Sequence, residues 1–128
     1  MRIEKHLAVA ERITRSLAKC GRDDYELRIE GAMLAASHLL NAALHADGAT
    51  RVDADVMHTY LLTVNEFRRL CVAEHEAMHA LRDIEDFRPP FVRGNWPGGE
   101  QAADRALELL SVIRARAQAA CASSIPRP

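Results

Sequence analysis

Apolar side chains recur every three or four residues along almost the whole chain, and no alternating run of β-branched residues bounded by turn signals suggests a strand. The pattern predicts an all-α protein. Ile3, Leu7, Ala10, Ile13 and Leu17 form one stripe on a helix from about residue 2 to Cys20, which Gly21 ends. Asp23 or Asp24 caps a second helix, whose stripe runs from Ile29 through Met33, Ala36 and Leu40 to Leu44 and closes at Asp47 and Gly48. Its many small residues allow a neighbour to approach closely and mark it as the central helix. Thr50, Asp53 and Asp55 compete to cap a short helical segment through Val56, Met57, Tyr60 and Leu61. A third long helix starts at Thr63 or Asn65, buries Phe67, Leu70, Ala77, Leu81 and Ile84, and must stop before Pro89. Arg88 to Gly99 reads as an irregular loop, and Glu100 begins a last helix carrying Ala103 to Ala117. Residues 121–128 read as a disordered tail.

Four long amphipathic helices and a short one bury their stripes most simply as an antiparallel up-and-down bundle, one domain over residues 1–120. With only 5% aromatic residues such a bundle has thin side-chain volume, and an apolar face left over would be covered by a second copy in a twofold dimer. The longest apolar runs are too short to span a bilayer, so no membrane partner is expected. The residues after Met1 are mixed acids and bases without the apolar core of a secretory signal, which favours the cytoplasm. Net charge is −1, with 17 basic and 18 acidic side chains dispersed along the chain, so nucleic acid is not indicated as a partner. Cys20, Cys71 and Cys121 are odd in number and contain no CxxC pair, which predicts thiols rather than a disulfide framework or a cysteine zinc site.

The one short motif with a chemical mechanism is His75-Glu76-Ala77-Met78-His79. In HExxH, two imidazoles four apart on a helix can hold a divalent metal such as zinc while the glutamate, here Glu76, serves as catalytic base. At 100° per residue His75 and His79 fall nearly opposite Ile84, away from the main core. Two histidines need a third ligand, and Glu100 or Asp104 stands at a spacing similar to that of glutamate-type zincin peptidases; those enzymes need a sheet edge that this chain lacks. Glu76 to His79 also reads as one ExxH unit of a di-iron bundle, without the second copy such a site requires. On the second helix, His38, Asn41 and His45 share a side, which fits a buried histidine satisfied by Asn41 or a carbonyl. If that helix packs on the third, His38 or His45 joins His75 and His79 around one metal, with His58 as a further donor. In the Arg88–Gly99 loop, Arg88, Arg93 and Trp96 offer cations and a flat apolar surface to a ligand or protein partner. The competing reading packs Phe91 and Trp96 over the bundle end.

The His6-Leu7-Ala8 and Ala10-Glu11 pattern of the first helix, followed by the Ala-rich helix from Arg28 through His38 to His45, resembles HEPN-like domains. The resemblance implies a bundle of four or five helices, often dimeric. Some members are RNases, and others pair with a minimal nucleotidyltransferase in toxin and antitoxin systems. RNase members carry Arg, four to six residues and then His; Arg69 to His75 and Arg51 to His58 have such spacings, though apolar Leu70 follows Arg69 where a polar residue is usual. The first expectation is therefore a non-catalytic interaction or regulatory module. A metal-binding bundle using the HExxH histidines comes second, and an RNase third.

Overall fold

The computed structural model describes residues 1–123. Five α-helices carry the fold: α1 (Ile3–Leu17), α2 (Tyr25–Ala46), α3 (Val64–Ala73), α4 (His75–Asp86) and α5 (Gly99–Ser123), and there is no strand among the described residues. None of these helices is long and apolar enough to cross a membrane. Central α2 packs most extensively on α5 and α1 and also touches α4. It is buried on nearly every side, as a helix surrounded by others must be, with Ile29, Leu40 and Leu44 fully enclosed. Its small residues do what their spacing suggests. A Cβ on Gly31 would lie 2.4 Å from Leu17 Cδ2, so the bare backbone there leaves room for the Leu17 side chain at the end of α1.

The third long helix is two helices. Thr63 caps α3 as expected, in a reciprocal capping box with Glu66. The backbone then leaves the helical region at Glu74 (φ −138°, ψ 72°), and α4 starts at His75. No proline or glycine stands there. Glu74 is only 2% exposed, and its carboxylate accepts from Arg116 Nε of α5 at 2.9 Å, so a tertiary ion pair occupies the place where the apolar stripe would have continued.

Three other expected boundaries move. The segment through Val56 and Met57 is not helical; only Thr59–Leu61 forms a 3₁₀ turn. Asn41 holds the preceding backbone, donating to the Val56 carbonyl at 2.7 Å and accepting from the Val56 N–H at 2.7 Å. The loop expected from Arg88 begins instead as one wide π-helical turn, Arg88–Arg93, closed by the Gly94 N–H on the Pro89 carbonyl at 2.8 Å. Proline lacks the N–H that a tight helix would need, and the wider turn places its donors elsewhere. Residues 121–123, assigned to a disordered tail, belong to α5; the rest of that tail, 124–128, lies outside the described residues.

Candidate functional site

Of the six histidines only His75 is exposed. Three of them, with one aspartate, form a polar cluster between α1, α2 and the loop after α2. His6 and His45 are buried, only 2% and 8% exposed. Both aim Nε2 at one oxygen, Asp55 Oδ1, at 3.0 Å and 2.8 Å. The remaining ring nitrogens are also engaged: His45 Nδ1 meets Thr50 Oγ1 at 2.7 Å, and His6 Nδ1 meets His38 Nδ1 at 2.9 Å. The Met1 amine lies 3.1 Å from Asp55 Oδ2. Burial works against a charge on Asp55, yet donors from His6, His45 and the amine outweigh it and hold the carboxyl at about 2. Burial pulls His6 and His38 below the ordinary imidazole value. The contacts are satisfied when His6 and His45 donate Nε2–H to Asp55, His38 donates to His6, and Thr50 shares a hydrogen bond with His45 Nδ1.

His38 and His45 thus belong with His6 rather than with His75 and His79. Asn41, on the same side of α2, is committed to Val56 and to the Ser37 carbonyl, and satisfies neither imidazole. His58, the other proposed donor, faces Glu85 of α4, its Nδ1 at 3.1 Å from Oε2. Buried Glu85 also receives the Thr59 N–H at 3.0 Å and the Thr59 hydroxyl. Periodicity on α1 gave no sign of His6, which lies just beside the Ile3–Leu7–Ala10 stripe. Asp55 was legible only as a helix cap. The His38/His45 spacing was the one signal that pointed to this cluster.

The HExxH histidines occupy the break between α3 and α4. Cys71 on the last turn of α3, His75 at the start of α4 and His79 one turn on bring one ligand atom each within 4.8 Å of one another. They line a groove of about 590 Å³ with Leu62, Val64 and Phe67. Thr59, Thr63, Arg68 and Arg82 complete it, and no carboxylate contributes. Arg82 donates to His79 Nδ1 at 2.8 Å and stacks 4.9 Å from the Phe67 ring centre. Burial, then Arg82 and His75, lower the His79 value, while burial raises the Cys71 thiol. Glu76 is exposed on α4. Glu100 and Asp104 do not join the motif: both pair with Arg22, at 2.9 Å and 2.6 Å.

Arg69 donates to the Ala49 carbonyl at 3.0 Å, and Arg51 pairs with Asp53 at 2.9 Å. In the α4–α5 connection, Arg88 is tied to Glu30 of α2 at 2.7 Å, Arg93 is exposed, and Phe91 packs on the core. Trp96 does not tuck over the bundle end; it is 68% exposed. Gly98 takes φ +99°, and a Cβ on Gly99 would lie 2.4 Å from the Tyr25 ring, so this glycine pair serves a close approach of the α5 start to α2. Compared with known proteins, the chain matches no family model, no curated protein and no solved structure.

Proposed function

We propose that this chain is a non-catalytic, HEPN-like interaction module, an antiparallel bundle whose α3–α4 groove receives an acidic, amphipathic segment of a protein partner. The observation that carries the reading is the lining of that groove: an apolar floor of Leu62, Val64 and Phe67, two guanidinium groups, two imidazoles and no acid. Val64 is itself 67% exposed, and the neighbouring Tyr60, Leu61 and Val72 are 62% to 89% exposed. Large apolar side chains gathered around a concave surface mark a place where another chain lies, and the unbalanced arginines select the sign of its charge.

A synthetic amphipathic helix with leucines at i, i+4 and i+7 and glutamates between them tests this directly. By calorimetry the glutamate peptide binds, and Arg68→Glu with Arg82→Glu weakens it by about tenfold or more, with affinity falling as salt screens the charges. A lysine version binding equally well would reject the reading. So would a species of twice 14.2 kDa that dissociates in the same charge-reversed variant, since the groove would then hold a second copy.

A second reading rests on the approach of Cys71, His75 and His79 within 4.8 Å. One thiolate and two imidazoles form a three-ligand zinc set with one position left for water, and Glu76, the residue after His75, is the base that the HExxH pattern offers. Arg68 and Arg82 weigh against it, because two fixed cations beside the ligands repel a third. Zinc retained by the purified protein and lost in both Cys71→Ser and His79→Ala would favour it over the anionic partner.

A further inference from the structure

From the convergence of His6, His45 and Asp55 we infer a second, separate site: a mononuclear centre for a divalent first-row transition ion, held by His6 Nε2, His45 Nε2 and Asp55 Oδ1. The inference does not rest on the groove reading. One atom from each residue lies within 4.8 Å of the other two, and the ligands come from three places in the chain, α1, α2 and the following loop. Two imidazole nitrogens aimed at the same carboxylate oxygen at 3.0 Å and 2.8 Å are close to the ligand-to-ligand spacing around one ion with bonds of about 2.0–2.2 Å.

The surroundings fit an ion as well as they fit protons. Metal-bound histidines hand their other N–H to an acceptor, which fixes ring and tautomer. Here both acceptors are in place: the Thr50 hydroxyl at 2.7 Å from His45 Nδ1, and His38 Nδ1 at 2.9 Å from His6 Nδ1. Moving each proton from Nε2 to Nδ1 turns two lone pairs toward Asp55, and His38 and Thr50 change from donors to acceptors without any side chain moving. An arriving dication displaces the Met1 ammonium from Asp55 and so places two positive charges where one stood. Two buried imidazoles also cost desolvation that a pair of leucines would not, which a bound ion offsets.

Three protein ligands leave one position open, as in centres that present a water or a ligand rather than in closed structural ones. Two of the three ligands, His6 and Asp55, also line a groove of about 490 Å³ together with Met33, His38, Asp53 and Met57. Nitrogen and oxygen donors together with one carboxylate suit Zn²⁺, Fe²⁺ or Co²⁺ rather than Ca²⁺ or Mg²⁺.

Cobalt(II) titration of metal-stripped full-length protein is the test, read by ligand-field absorption and by equilibrium metal content. The expected result is about one equivalent bound by the wild type and by the Cys71→Ser/His79→Gln double variant, with binding weakened at least about a hundredfold in Asp55→Asn and in His45→Gln. The two amide variants keep hydrogen-bonding side chains in place, and circular dichroism confirms that they are folded. Should one of them unfold, His6→Gln serves in its stead. Less than about 0.1 equivalent bound by the wild type overturns the inference. So does binding that persists in Asp55→Asn, or that vanishes only in the Cys71/His79 variant, an outcome that would place the ion at the other cluster.

Discussion

Glu85 shows what a single buried carboxylate does for this fold. It lies on α4, 5% exposed, and accepts from the Thr59 backbone, the Thr59 hydroxyl and His58. One side chain therefore anchors the connection between α2 and α3. Glu85→Ala strips these donors of their acceptor within the core, and hydrogen bonds to a charged group contribute about 1.5–3 kcal/mol each, not additively. A loss of about 3 kcal/mol in urea-unfolding free energy is expected. A loss near zero would mean that the 3₁₀ turn is held by its neighbours instead. The polar residues were the least legible in the sequence. His6 and Glu85 look like surface residues because burial of a polar group depends on a partner distant in sequence, here Asp55 and Thr59, and no local pattern encodes that partner.

At the scale of elements, apolar spacing sufficed for α1, α2 and α5, and Thr63, one of two expected starts for the third helix, is the N-cap of α3. It failed at Glu74. Helical propensity across residues 70–78 is good, and the break comes from outside, through Arg116 of α5. Arg116→Ala leaves Glu74 buried without its cation; because the Arg116 side chain is 40% exposed, water softens the loss, and a destabilisation of about 2 kcal/mol is expected in chemical denaturation. The same variant shifts the start of α4, so the His75 and His79 resonances move in NMR spectra while those of His6 and His45 stay. Equal shifts at all four histidines would argue against Glu74 as a local joint. Cys71, His75 and His79 were legible in part: the i, i+4 histidine pair was plain, whereas Cys71, four residues before His75 at the same spacing, was set aside with the other cysteines because no CxxC pair marks it.

For the molecule as a whole, the entry of α5 is clamped to α2 and the turn before it by Asp104, whose carboxylate binds Arg22 and Arg28 at 2.6 Å each. Hydrogen bonds from Arg28 and then Arg22 hold the Asp104 value below its ordinary 3.8. A depressed carboxyl stabilises the fold above its unfolded value and loses that contribution as pH falls through the folded one. Asp104→Asn is therefore less stable than wild type by a few degrees in Tm at pH 7, with the two curves converging below pH 3.8. A constant gap across that range would mean that geometry rather than charge makes the clamp.

Trp96, the only tryptophan, stands 68% exposed beside the start of α5. Its indole already emits from water in the native state, so intrinsic fluorescence will scarcely register unfolding and would mislead anyone using it to follow denaturation. The same exposure makes it a sensitive optical reporter of any molecule that settles against that end of the protein, with no label required.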